Sequence, residues 1–221
     1  MNKLLISLFT ILILSISIFA QQTGFEIVKT DDGMIVVHNN KTQRFSFFVS
    51  GKNPKSQFSD AEGVYLVTDS PALIGGGLSV FCVNKSEFPK EININGDAEV
   101  LSFYRQFNVN NMEETLKTKL KVNIDSNGFV NIADLNNKPK KIPTFYWGFM
   151  IPSDEKPLRN LTQAVVIGDR VLVIGGVFPE TTKLEQAQEF FKQTFESISL
   201  LPQKVPTPKK IVKPKSKKKT K

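Results

Sequence analysis

The sequence predicts an α+β domain, a twisted and mostly antiparallel β-sheet flanked by helices. Three observations predict it. Short apolar runs rich in β-branched and aromatic residues are separated by turn residues and outnumber the helical stretches. Stretches near Asp97 and after Thr182 switch to apolar spacings of three and four. The chain closes with a hairpin followed by a helix, the order of an antiparallel sheet that needs a helix to cover one face. Composition agrees: of 221 residues, 40% are hydrophobic and 23% charged, the balance of one globular domain rather than a disordered chain. The 13 glycines and 12 prolines are too few for a collagen-like chain, and the lone cysteine excludes a disulfide framework or an all-cysteine zinc site.

In order along the chain, residues 25–29 and 34–38 flank Asp31, Asp32 and Gly33, two strands around an Asp-Gly hairpin signal. In 44–50, Phe45, Phe47 and Val49 share one strand face, with Ser46, Phe48 and Ser50 on the other. Residues 64–68 and 78–83 are further strands, joined by a loop from Ser70 through Gly75, Gly76 and Gly77. The period then changes. Val100, Tyr104 and Phe107 recur at helical spacing after a start signal at 95–97, and a second, weaker helix carries Met112, Leu116 and Leu120 behind caps at Asn110 and Asn111. Strand character returns at 129–132, 144–151, 162–167 and 170–178, the last two meeting across Gly168-Asp169. The last helix is the clearest element, with Thr182 and Glu185 at capping-box spacing and Leu184, Ala187, Phe191, Phe195 and Ile198 forming one stripe. Burying each large member of that stripe is worth about 1.5–3 kcal/mol, so this helix is expected to lie on the sheet.

The segments IPTFYWGFMI, QAVVIGDRVLVIGGVFPE and EQAQEFFKQTFESISLL resemble the closing strand, hairpin and helix of PsbP-like domains, including the Ser-hydrophobic motif Ser197-Ile198-Ser199-Leu200. The first half departs from that pattern: only Asn53-Pro54 follows Ser50 where a proline-tryptophan signature is expected. The resemblance implies a twisted antiparallel sheet flanked by helices, and a noncatalytic, extracytoplasmic binding or assembly role. Such domains differ widely in function, so the role has to come from the site.

The two ends read differently from the body. Lys3 precedes an apolar run from Leu4 to Phe19, broken only by Ser7, Thr10, Ser15 and Ser17 and closed by Ala20. This is the form of a signal peptide, residues 1–20, cleaved after Ala20. As a helix the run spans about 24 Å, short of a hydrocarbon layer of about 30 Å. The globular domain is then 21–201, with a secreted or periplasmic destination. Residues 202–221 carry Lys204, Lys209, Lys210, Lys213, Lys215, Lys217, Lys218, Lys219 and Lys221 and no acid. Charge repulsion and proline forbid a core or a helix there, so the segment is expected to be an extended, mobile tail. Of 29 basic residues, nine lie in the tail and Lys3 in the leader, leaving 19 against 21 acids on the body. The net charge of +8 therefore belongs to the ends, and no specific nucleic-acid groove is expected.

No catalytic constellation emerges from the residue types. His38 and Cys82, the only histidine and cysteine, cannot close a zinc site without carboxylates. Cys82 sits among Val80, Phe81 and Val83, where apolar surroundings raise a thiol pKa and make it inert. No Lys-Ser or Lys-Thr pair and no helix follow Gly75-Gly76-Gly77, so it reads as a turn, not a phosphate cradle. Gly175-Gly176 inside a strand reads as a bulge or a close backbone approach. Asp31-Asp32, Glu113-Glu114 and Asp154-Glu155 point their side chains apart, and Asp125-Ser126-Asn127-Gly128 is only the beginning of a calcium loop. No cofactor or metal is expected. Asn40, Asn84 and Asn160 open glycosylation sequons. Phe145, Trp147 and Phe149 share a strand face suited to core packing, which leaves Tyr146 outward, and Tyr146 and Trp147 are the candidates for lining a ligand groove.

Two classes of function fit. The first is an exported, noncatalytic binding or assembly module for a protein or envelope component. Its tail lysines, Lys209 to Lys221, would associate with an anionic membrane or polymer surface. The second is a secreted hydrolase whose acidic residues converge only in the fold. Paired, buried carboxylates in a deep cleft would favour the hydrolase, and shallow grooves over a closed core the binding module.

Overall fold

The computed structural model describes residues 24–203 apart from 41, 59–62, 71–76 and 153–156. The leader with Ala20, the loop glycines Gly75 and Gly76, Asp154-Glu155 and the tail lysines lie outside the described residues.

Strands β1 (Phe25–Thr30) and β2 (Gly33–Asn39) form the expected hairpin. Thr30 pairs with Gly33, so the turn is Asp31-Asp32 and the glycine opens the second strand. β3 (Arg44–Ser50) pairs with β2 and turns Phe45, Phe47 and Val49 inward, as its alternation predicts. β4 (Lys52–Phe58) escapes sequence reasoning because KNPKSQF has no apolar face. It forms because β5 (Gly63–Asp69) offers it a hydrogen-bonding edge. Pro54 and a register shift between Lys52 and Lys55 suit an outermost strand.

β6 (Gly77–Asn84) and a 3-10 turn at Lys85–Glu87 lead to α1 (Asp97–Leu116). The two expected helices are one, since Asn110 and Asn111 lie within the helix instead of capping a second. It ends where Lys117 takes a left-handed φ of 51°, and Leu120 is buried beyond it. β7 (Val122–Ala133) and β8 (Pro139–Ile151) are longer than the sequence predicts: continuous pairing with β8 draws Asp125 to Gly128 into the ladder as strand rather than loop. β9 (Leu158–Ile167) and β10 (Arg170–Pro179) meet across Gly168-Asp169, with Gly168 at φ +62°. α2 (Leu184–Glu196) starts after Lys183 with no side-chain cap, so the capping box of Thr182 and Glu185 does not form. β11 (Ser199–Leu200) closes the described chain.

The strand order is β1-β2-β3-β11-β7-β8-β9-β10-β6-β5-β4. All pairings are antiparallel except β11 with β7. β3 and β4 are joined by Gly51 alone yet stand far apart in that order, so the sheet curls until its flanks meet, and β2 touches β4. Gly51 makes the corner at φ +135°, its N–H donating to the Asp32 carbonyl at 2.8 Å. A Cβ there would lie 2.4 Å from Thr68 Oγ1, so only glycine fits. The expected sandwich is thus refined to one curled, nearly closed sheet with a helix on each side.

Both faces of the central strands are enclosed, and β6, β9 and β10 are buried almost end to end. On one face α2 brings Phe190, Phe191 and Phe195 against Phe45, Phe47 and Phe178. On the other, α1 brings Val100, Leu101, Tyr104 and Met112 against Trp147, Phe149 and Ile151.

Candidate binding groove

Cross-strand partners point to the same sheet face, so Asp125, Asn127 and Phe129 share the α1 side with Trp147, Phe145 and Pro143. Trp147 lies under the helix and is fully buried. Phe145 emerges half-buried at the margin of α1. Phe129 stands 65% exposed, with Lys141 Nζ 4.5 Å from its ring centroid. At that margin opens a groove of about 680 Å³ lined by Glu91, Ile92, Glu99, Phe103, Arg105, Asp125 and Phe145. Phe103 is half-buried there, packed on the α1-side core by edge contact with Phe88 at 5.4 Å while also lining the groove.

Arg105 ties α1 to β7 through a two-pronged pair, Nε at 3.3 Å from Asp125 Oδ1 and Nη2 bonded to Oδ2. Its Nη1 donates to Gln106 Oε1 at 3.1 Å. Glu91 and Glu99 are exposed and take part in no ion pair among the described residues. The lining therefore holds three carboxylates against one guanidinium around apolar rings, an acidic and partly apolar surface suited to recognition. Among the described residues, no three His, Cys, Asp or Glu side chains gather as metal ligands.

The residues singled out from the sequence lie elsewhere. Tyr146 does not face outward: α2 covers the side of the sheet that seemed free, and the ring meets Phe191 edge-on at 6.0 Å. Trp147 is buried on the opposite face and donates from Nε1 to Asn108 Oδ1 at 3.1 Å. Neither lines the groove, because the sheet has two cores where alternation in a single strand was read against one. Burial raises the hydroxyl pKa of both Tyr104 and Tyr146. Gly175-Gly176 makes no bulge, since β10 keeps register with both neighbours. A Cβ on Gly176 would sit 2.6 Å from the Phe178 ring. Asn160 is buried, its Oδ1 accepting from Thr162 Oγ1 at 3.1 Å, and Asn84 caps the Ser86 N–H at 3.0 Å.

His38 is buried between two rings, edge-on to Phe25 at 5.0 Å and stacked on Phe45 at 4.9 Å. Burial, reinforced by the Arg170 guanidinium and opposed by Asp169, pushes its pKa down to about 4. Cys82 is buried in the α2-side core, where apolar surroundings disfavour its thiolate. The folded chain at neutral pH is expected to resist a thiolate-selective alkylating reagent that labels it fully in denaturant, as read by intact mass. Prompt labelling of the folded chain would contradict an inert thiol.

The groove is hidden in the sequence because α1, the loop before it, β7 and β8 each supply part of its lining. Asp125 reads as a loop acid and Arg105 as an ordinary helix-surface charge until the fold joins them. The available signal was Phe103, an aromatic that widens the Val100, Tyr104 and Phe107 stripe of α1 to one side. A helix with apolar side chains beyond its buried stripe has a second surface to explain.

A curled antiparallel sheet closed by a hairpin and helix, with a helix on each face, is the PsbP-like fold. Among solved structures, the cyanobacterial PsbP (CyanoP) of Synechocystis sp. PCC 6803 matches with a TM-score of 0.51 at 9% identity, covering 78% of this chain and 95% of that one. Mog1, as a mutant, matches with a TM-score of 0.47 at 8% identity over 80% of this chain and 96% of that one. LpqN, involved in cell envelope biogenesis of Mycobacterium tuberculosis, gives 0.43 at 11% identity over 76% and 91%. No protein-family model matches the chain, and no curated protein does.

Proposed function

We propose that the protein is an exported, noncatalytic binding or assembly module. Its body recognises a partner through the groove beside α1, and its lysine tail associates with anionic envelope surfaces. The observation that carries this reading is the groove itself: an open surface of half-buried rings and exposed carboxylates over two closed cores. Its one guanidinium is already committed to Asp125, so the arrangement favours docking over acid-base chemistry, which calls for paired titratable groups in an enclosed cleft. The hydrolase alternative gains no support from the acids near the groove, because Glu91 and Glu99 are exposed. The apolar leader, residues 1–20, is the basis for export.

The tail is tested by sedimentation with vesicles containing anionic lipid at low salt. Each lysine near such a surface contributes about 1 kcal/mol, decaying within a Debye length of roughly 10 Å. Ending the chain after Pro202 is expected to reduce retention more than tenfold, and added salt to reduce retention of the full chain. Equal retention of both forms would remove the surface role.

A further inference from the structure

We infer that the groove beside α1 also docks the chain's own tail, residues 204–221, in cis. The chemistries complement each other. The groove offers Ile92, Phe103 and Phe145 between Glu91 and Glu99, two carboxylates without an ion-pair partner among the described residues. The tail interleaves Pro206, Pro208 and Pro214 with nine lysines and has no acid. Proline-rich segments adopt an extended helix without internal hydrogen bonds, and aromatic-lined grooves take up such segments by packing against the proline rings. Lysine ammonium groups flanking those prolines would then meet Glu91 and Glu99, an attraction that an exposed site weakens with salt.

The length of chain suffices. Near the end of the described residues, the Leu201 N–H donates to the Arg44 carbonyl at 2.9 Å and Arg44 Nη1 to the Pro202 carbonyl at 3.3 Å. β11 runs parallel to β7 with Ser199 beside Ala133, so the chain leaves it heading away from the groove and must turn back. Phe145 pairs with Asn127, part-way back along β7 from Ala133. That separation and the overshoot together make about 30 Å at 3.3 Å per residue. Residues 204–221, extended at about 3.1 Å each, reach about 56 Å. Pro214 and the lysines after it therefore arrive over Phe103 and Phe145, with the earlier prolines keeping the connecting run extended. An anionic surface and the groove would compete for the same lysines, so the folded body limits how freely the tail engages a surface. This deepens the tail reading above, and its test uses no anionic surface, so the two can fail separately.

Amide NMR spectra of residues 21–221 and 21–203 at low salt test the dock. The resonances of Phe103, Gln106, Asn127 and Phe145 are expected to differ between the two forms, to converge in high salt, and to be unchanged by dilution. The double substitution Glu91→Gln and Glu99→Gln in the longer form should reproduce the groove shifts of the shorter one. A synthetic peptide of residues 204–221 should restore them when added to the shorter form, and bind the doubly substituted shorter form at least tenfold more weakly. Identical groove resonances with and without the tail would overturn the inference. So would differences that vanish on dilution, which would place the tail on a second copy.

Discussion

Replacing Trp147 with alanine lowers the unfolding free energy by about 3–5 kcal/mol, the range for removing a fully buried large aromatic. Trp147 is the largest wholly buried side chain on the α1 side of the sheet. It supports Tyr104 and Phe145, each with ring centroids 6.4 Å away. Its loss also strips the buried Asn108 Oδ1 of the indole donor, and an unpaired buried acceptor costs about 1–3 kcal/mol by itself. In a domain of this size each kcal/mol corresponds to about 2–4 °C in Tm, so urea titration and thermal melting should both show the loss. A change below about 1 kcal/mol would mean that α1 does not depend on this contact. Trp147→Phe keeps much of the apolar volume but still orphans Asn108, and should fall between the two.

The second large effect is one of pH. Neutral His38 fills the space between Phe25 and Phe45, and its Nδ1 has no hydrogen-bond partner among the described residues. The charged groups acting on it are Arg170 and Asp169, and burial outweighs both in pushing the pKa down to about 4. Above the unfolded value of about 6.5 both states are neutral and the full stability is present. Between that value and about 4 the unfolded chain takes up a proton that the folded chain refuses. Stability then falls by about 1.4 kcal/mol per pH unit, for a total near 3 kcal/mol. Below about 4 both states are protonated and the loss levels off. His38→Phe preserves the row of rings and should remove this component, so the pH 7 to pH 4.5 difference in unfolding free energy shrinks relative to the parent chain. As the only histidine, its imidazole signals are unambiguous by NMR. A folded-state midpoint near 6.5 would defeat the prediction.

What the sequence made legible was what periodicity records. The β1–β2 and β9–β10 hairpins, the inward face of β3 and the stripe of α2 follow from local alternation and turn residues alone. β4 was illegible because a flank strand with both faces near solvent needs no apolar pattern. The merger of two helices into α1 was hidden because Asn110 and Asn111 look like caps, while Val109 and Met112 on either side of them are buried and hold the helix through. Tyr146 went astray for a different reason: a strand covered on both faces gives no outward side, whichever residue alternation puts there. The groove was the least legible of all, since Arg105 and Asp125 meet only through the packing of α1 on β7 and β8.

The smallest strand carries a consequence for assembly. Ser199 and Leu200 sit between β3 and β7, so their backbone pairing stitches the first three strands to the middle of the sheet, while the chain itself passes from β3 to β4 through the Gly51 corner. A polypeptide emerging from the ribosome can form its early hairpins at once, but the seam stays open until these near-final residues are available. Such distant pairings make folding slow and late. Until then the flank of β1, β2 and β3 has no hydrogen-bonded neighbour along the outer edge of β3.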